Sequence, residues 1–258
     1  AAYDAACTAV LSARPGARCL CLEAGTGLLP LMCGRGGSGF VYAIARSKLL
    51  YRALRQTVSA NIGSPGAERV RLIDRPVTAC WVEGEDMPPG AEPAKPAKGG
   101  EAGDGSSSSD DDPAPIPVRA DILVTDLVDH TGLGLGLLPT LDHAARKLLQ
   151  PGGVVVPGAI RITGVLMEMR VGEVCGLDLS CMDTYRWHPQ SERVDLSKAP
   201  HKALSQPFQV ADINLQARAD ALTTAGRRGA PPAPPPLGPG EWEEDFEVEV
   251  EVTAPGVW

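Results

Sequence analysis

The 258-residue sequence has no run of about 18 uninterrupted apolar residues, so no membrane-spanning helix is expected. It lacks an excess of positive charge: 24 Lys and Arg stand against 32 Asp and Glu, a formal net charge of −8. That balance gives no basic footprint for non-specific nucleic-acid binding, and no direct nucleic-acid partner is expected. No Cys-x-x-Cys pair occurs among the seven cysteines. Their odd number and their placement largely in apolar runs predict reduced, buried thiols in an intracellular protein; the location expected is cytoplasmic and/or nuclear. His130, His188 and His201 have no metal-ligand spacing, so no metal is expected. There is no internal repeat, no secretory layout and no initiator Met. The chain opens inside an amphipathic helix pattern, Tyr3 to Ser12, and closes just after a strand-like alternation, which predicts a fragment cut at both ends.

Two segments have no core-forming composition. Residues 83–117 are rich in Gly, Pro, Ser, Glu and Asp and read as a disordered insertion. Residues 225–240 carry a Pro-rich run of polyproline II character. Each is either a tolerated loop insertion or a recruitment site for a partner.

Around these insertions the pattern alternates between strand and helix. Ala17 to Leu22 is a short apolar run ending at a glycine-rich turn, as a buried parallel strand does. Strands are also expected at Gly39 to Ala45, Val70 to Asp74, Ala120 to Val124 and from Val154. Helices are expected over Ser47 to Ala60 and Leu137 to Leu149, the latter stopped by Pro151-Gly152-Gly153. This is an α/β chain with a Rossmann-like doubly wound sheet over 1–157. Ile160 to Met169 and Glu247 to Thr253 alternate apolar and polar residues, predicting a partial antiparallel β-rich barrel domain over 158–258.

In a doubly wound sheet the first strand-to-helix turn usually binds the ligand. Here it is Glu23-Ala24-Gly25-Thr26-Gly27-Leu28-Leu29. Gly25 and Gly27 permit a tight turn and a close backbone approach, and the amides at the following helix start can donate to an anionic or carboxylate group. Such a turn is equally a plain loop when nothing else accompanies it. Glu23 precedes the glycines where a carboxylate can hold an ammonium, and Ala120 to Thr125 delivers Asp126 at the end of another strand. The two carboxylates either converge on one cleft or cap neighbouring loops.

The ordered set Leu22-x-Ala24-Gly25-Thr26-Gly27-Leu28-Leu29, Val41-Tyr42-Ala43, Ala120-Asp121-Ile122-Leu123-Val124-x-Asp126-x-Val128-Asp129, Gly136-Leu137-Leu138-Pro139-x-Leu141-x-His143-Ala144 and Val156-Pro157 resembles the protein arginine methyltransferase family. The likeness is strongest to its monomethylating branch, which Cys175-Gly176-Leu177-Asp178-Leu179-Ser180 and Leu204-Ser205-x-Pro207-Phe208 also resemble. The resemblance implies S-adenosylmethionine as cofactor, bound at Glu23, Gly25, Thr26, Gly27 and Leu28. It implies transfer of the methyl group to arginine of protein substrates, with Asp126 and Asp129 in the catalytic loop. It also implies a homodimer or a tandem module.

Three departures from the family pattern stand out. Cys21 takes the place of an acidic residue and Glu23 that of the first glycine of a Gly-x-Gly-x-Gly turn. Ala45 stands where the family has the acidic residue that holds the ribose hydroxyls. Leu135, within Gly134-Leu135-Gly136, replaces the second catalytic glutamate, leaving Asp126 as the shortened first one. These departures keep open an alternative: a catalytically impaired methyltransferase-fold pseudoenzyme that acts as a protein-binding module. Asp129 either compensates or orients the loop, His143 is expected to pack or cap, and Glu168 faces either the cleft or solvent.

Overall fold

The structure, a computed structural model, describes residues 2–85, 114–129, 132–170, 172–185, 194–225 and 248–253. The chain divides into two compact units, Ala1–Ile160 with Ile213–Glu243, and Arg161–Asp212 with Glu244–Trp258.

The first unit runs α1 (Ala2–Ala13), β1 (Arg18–Leu22), α2 (Leu28–Arg35), β2 (Phe40–Ile44), α3 (Lys48–Ala60), β3 (Val70–Ile73), β4 (Cys80–Val82), β5 (Ala114–Ile116), β6 (Ala120–Thr125), α4 (Leu137–Lys147) and β7 (Leu149–Val156). Five of these strands form a parallel sheet in the order β3-β2-β1-β6-β7. The expected doubly wound sheet is therefore present, and the reversal of strand order falls between β1 and β6.

Strand periodicity explains why both faces are covered. Leu20, Leu22, Tyr42, Ile44 and Leu123 pack on one face with α4, through Leu137 and Leu141. Their strand neighbours Cys19, Cys21, Val41, Ala43, Ile122 and Val124 pack on the other, against Cys7 and Leu11 of α1, Leu29 and Cys33 of α2, and Leu54 and Val58 of α3. A strand sandwiched in this way has no solvent face, which is why these segments read as continuous apolar runs.

The helix expected from Ser47 starts at Lys48, because Ser47 is its N-cap and accepts a bond from the Leu50 amide at 3.3 Å. At the sheet's amino end the Arg18 guanidinium makes two bonds to Asp121, of 2.8 and 3.0 Å, and Gln150 also donates to that carboxylate. The Arg18 bonds hold the Asp121 carboxyl below the usual aspartate range.

The tail of the expected insertion departs from expectation. Ala114–Ile116 is a strand pairing in parallel with β4, and Ile116 is fully buried in the core. One β-branched apolar residue is enough to draw the end of a polar stretch into the fold. Residues 86–113 and 226–240 of the two expected insertions lie outside the described residues.

Residues 215–224, read from sequence as part of 158–258, form a further helix, α5 (Leu215–Thr224), within the first unit. Leu215, Ala219 and Leu222 share one helical face and join the α4 side of the core. Asn214 caps the helix, accepting from the Ala217 amide at 2.8 Å.

The second unit is built from short β pairs. Labelled in chain order, its strands are β8 (Ile160–Gly164), β9 (Met167–Met169), β10 (Glu173–Val174), β11 (Leu177–Asp178), β12 (His201–Ala203) and β13 (Phe208–Ile213). β9 pairs antiparallel with β12, β10 pairs antiparallel with β11, and β8 pairs with β13. The expected β-rich texture is present, although these pairs do not join into one sheet among the described residues. The strand expected near the C-terminus contributes a single bridge, Val252 to Ser205.

Candidate functional site

Register sets the geometry of the site. Leu22 at the end of β1 is paired with Thr125 at the end of β6, so the next residues, Glu23 and Asp126, emerge abreast where strand order reverses. This is the crevice in which open α/β sheets bind ligands. Asp126 is near enough to raise the Glu23 pKa through its charge.

The glycine turn has alternating left-handed backbone: φ is 52° at Glu23, 50° at Gly25 and 93° at Gly27. Three such positions, two residues apart, are what a Gly-x-Gly-x-Gly turn needs. The turn keeps that shape although its first glycine position carries a glutamate, at a conformational cost of about 1–2 kcal/mol. The two remaining glycines serve different ends. A Cβ at Gly27 would press on Leu54 and Thr57 of α3, whereas at Gly25 it would meet nothing closer than the Glu23 carbonyl. Gly27 thus admits the helix, while Gly25 leaves room for a ligand. No side chain caps the first turn of α2, so its leading amides are available to an external acceptor. Thr26 and Leu28 are exposed beside them.

Glu23 is 8% exposed, and its Oε2 is buried without a hydrogen-bond partner. The Arg46 Nε lies 3.4 Å from that oxygen, an ion pair without hydrogen-bond geometry. Burial raises the Glu23 pKa, and the Arg46 charge opposes this. An under-satisfied buried carboxylate is costly in isolation and is suited to a cationic ligand group.

Asp126 is solvent-accessible, yet crowding by protein raises its carboxyl above the usual range. Tyr3 of α1 donates its hydroxyl to the Thr125 carbonyl at 2.9 Å, immediately before Asp126. Its own pKa is raised, by burial first and then by the Asp126 charge. Asp129 stays with the loop: its carbonyl accepts from the Gly132 amide at 3.0 Å and its Oδ1 from Gly134 at 3.2 Å. Leu135, two residues before α4, is 39% exposed.

The remaining candidates are placed elsewhere. Cys21 is fully buried on the α1/α2 side of the sheet, its Sγ 3.9 Å from that of Cys33, so it packs as a core residue. Cys175 and Cys181 are exposed, which corrects the expectation of buried thiols for those two; Cys175 lies in the turn between β10 and β11 and Cys181 in a short 3-10 helix, Ser180–Tyr185. His143 meets the Cys80 carbonyl at 3.2 Å and burial lowers its pKa, as a packed histidine behaves. Glu168 pairs with Arg170 at 2.7 Å. His130 and His188 lie outside the described residues. Among the described residues no group of three potential ligands is arranged to hold a metal ion, and no helix is long and apolar enough to cross a membrane.

Sequence reading missed Tyr3 and Arg46 as site residues. Tyr3 was legible as a polar-tipped aromatic on the stripe that carries Cys7 and Leu11. Arg46 was legible as a cation one residue beyond Ala45, where the family has an acid.

Comparison with known proteins bears out the resemblance read from the motifs. No family model matches the chain. It is 28% identical over 207 residues to an arginine N(omega)-methyltransferase of Streptomyces achromogenes subsp. streptozoticus, covering 78% of this chain and 48% of that one. It is 26% identical over 223 residues to protein arginine N-methyltransferase 9 of Xenopus laevis, covering 74% and 23%. It is 31% identical over 146 residues to protein arginine N-methyltransferase 7 of Cricetulus longicaudatus, covering 57% and 17%. The chain thus spans less than half the length of each of these relatives. Among solved structures it resembles a Trypanosoma brucei PRMT1 enzyme-prozyme heterotetrameric complex with AdoHcy, with a TM-score of 0.55, 14% identity and coverage of 83% of this chain and 57% of that one. It also resembles protein arginine methyltransferase 10 of Arabidopsis thaliana, with a TM-score of 0.53, 14% identity and coverage of 83% and 58%. At these identities the structural likeness speaks for the fold.

Proposed function

We propose, from the likeness to protein arginine methyltransferases, that this chain is part of an enzyme that transfers a methyl group from S-adenosylmethionine to a guanidinium nitrogen of an arginine-containing protein. The observation that carries this reading is the abreast emergence of Glu23 and Asp126 at the strand-order reversal, beside a turn left-handed at 23, 25 and 27. The relatives' names support the activity, and the AdoHcy of the Trypanosoma brucei complex supports the cofactor.

The residues fit the amino-acid end of that cofactor. Gly25 leaves room for it, the first amides of α2 suit its carboxylate, and the Glu23 Oε2, which accepts no hydrogen bond, suits its ammonium. When bound, the cofactor supplies an electrophilic sulfonium methyl. Asp126 then orients the substrate guanidinium through charge-assisted hydrogen bonds, and Asp129 holds the loop that carries it. Ala45 offers no side-chain oxygen to ribose hydroxyls. That loss costs on the order of 1.5 to 3 kcal/mol, about ten- to a hundredfold in affinity. No comparison favours the alternative of a non-catalytic binding module.

In this proposal the first unit, Ala1–Ile160 with Ile213–Glu243, binds the cofactor, and the second, Arg161–Asp212 with Glu244–Trp258, binds the protein substrate. Assembly with a second copy or a related chain belongs to it, supported by the heterotetrameric neighbour. So does a cytoplasmic and/or nuclear location, supported by seven unpaired cysteines.

Titration calorimetry with S-adenosylmethionine and with its demethylated product, followed by methylation of an arginine-rich peptide, tests the reading. Weakened but measurable binding is expected, with peptide turnover that falls about a hundredfold or more in Asp126→Asn. Absence of heat at millimolar ligand sinks the cofactor assignment, and turnover that is indifferent to Asp126 sinks the catalytic one.

A further inference from the structure

Next to Ala45 the chain turns basic. Parallel pairing of Ile44 with Ile73 brings the carboxyl ends of β2 and β3 together, and the Ala45 amide donates to the Ile73 carbonyl at 3.1 Å. Arg46, Lys48, Asp74, Arg75 and Pro76 therefore line one recess of about 220 Å³ at those ends. Three cations face it against one carboxylate. Arg75 is half-buried and bonds the Asp74 carbonyl at 2.8 Å through Nη1, which anchors its guanidinium at the mouth. α3 begins at Lys48, so the positive end of a 13-residue helix dipole adds to the same place.

The physical rule for the end of this strand in dinucleotide-binding sheets is that a carboxylate there bonds free ribose hydroxyls, whereas a nearby arginine accommodates a ribose phosphate. Here the carboxylate is missing and an arginine follows at the next position. Guanidinium and ammonium groups at a helix start form a site for a phosphate dianion. The recess is smaller than the roughly 300–1,000 Å³ of pockets that enclose whole small molecules, so it suits one anionic group of a ligand whose remainder lies elsewhere.

We propose that the Arg46–Lys48–Arg75 recess binds a phosphate carried on the ribose of an adenosine nucleotide, and that such nucleotides compete with S-adenosylmethionine for this site. The inference rests on the reading that the glycine turn holds an adenosyl ligand, and it adds a second ligand class with its own selectivity residues. Arg46 also pairs with Glu23 at 3.4 Å, so a phosphate that draws Arg46 away frees the Glu23 carboxylate.

Calorimetry on the full chain with adenosine 2′,5′-bisphosphate, adenosine, inorganic phosphate and S-adenosylhomocysteine tests this, with Lys48→Gln and Arg75→Gln as variants whose melting temperatures report folding. The bisphosphate is expected to bind at least tenfold more tightly than adenosine, to displace S-adenosylhomocysteine, and to lose about tenfold in each folded variant. Equal binding of bisphosphate and adenosine overturns the inference. So does inorganic phosphate binding as tightly as the bisphosphate, because the anion then needs no nucleoside. Binding of S-adenosylhomocysteine without the bisphosphate defeats the inference and leaves the methyltransferase reading standing. Binding of the bisphosphate without S-adenosylhomocysteine overturns the methyltransferase reading and, since nothing is displaced, the competition with it; binding of neither defeats both.

Discussion

Arg218 on α5 grips Asp142 on α4 through two bonds, Nε to Oδ1 at 2.6 Å and Nη2 to Oδ2 at 2.7 Å. Asp142 is 4% exposed, so this pair fastens α5 to α4 from inside the protein.

Breaking that pair from one side strands a buried carboxylate. Arg218→Met is expected to destabilise the chain by about 3–5 kcal/mol, whereas Asp142→Leu combined with Arg218→Met recovers most of the loss. Denaturant melts of the two single variants and the double variant check this. A single variant within 1 kcal/mol of the parent refutes it.

Much of this architecture was legible in the sequence. The apolar runs at Cys19 to Leu22 and Val41 to Ile44 announce strands covered on both faces, and the positions of Gly25 and Gly27 announce the tight turn after β1. α5 was not legible as part of the first unit, since Leu215, Ala219 and Leu222 declare an amphipathic helix but not the core it joins. β5 was hidden because Ile116 is one apolar residue at the end of a polar stretch. The Glu23–Arg46 pair was hidden for another reason: it depends on which strands are neighbours, and local pattern carries no such information.

Glu23 holds a backbone conformation that glycine adopts freely. Glu23→Gly is expected to raise unfolding free energy by about 1 kcal/mol while weakening S-adenosylhomocysteine binding. Thermal melts and calorimetry on the same preparation separate the two effects. A variant that is less stable than the parent contradicts the strain assigned to this position.

The raised pKa of Asp126 links stability to pH. The folded state keeps its proton to higher pH than the unfolded chain, so this contribution is full below the unfolded value near 3.9 and is lost as pH rises through the folded value. Asp126→Asn is expected to flatten the decline just above pH 4, leaving the slope from Glu23, whose pKa is also raised. Urea melts from pH 3.5 to 8 measure it. An unchanged pH profile would mean that Asp126 titrates normally.

Leu135→Glu restores a carboxylate between Gly134 and Gly136, at a position already 39% exposed, so folding should be unaffected. Methylation of an arginine-rich peptide is expected to rise about tenfold or more, because a second carboxylate fixes the guanidinium's orientation. If turnover stays level with cofactor bound, the loop assignment is wrong.

Gly66→Ala should cost about 1–3 kcal/mol, for its φ is 84° and a Cβ there would run into the Gly34 backbone. A proteolysis-resistant, fully stable variant would argue against that contact.

Leu22 and Thr125 are ladder partners, and strands in a sheet lie about 4.8 Å apart. The spacing of the two acidic positions that follow them is therefore set by the hydrogen-bond ladder, a stiff ruler, and not by the loops those residues open. Loops on either side can change length and sequence without altering that interval. The separation of the two charges at the root of the cleft is thus an inherited dimension of the sheet, available to whatever chemistry the surrounding loops supply.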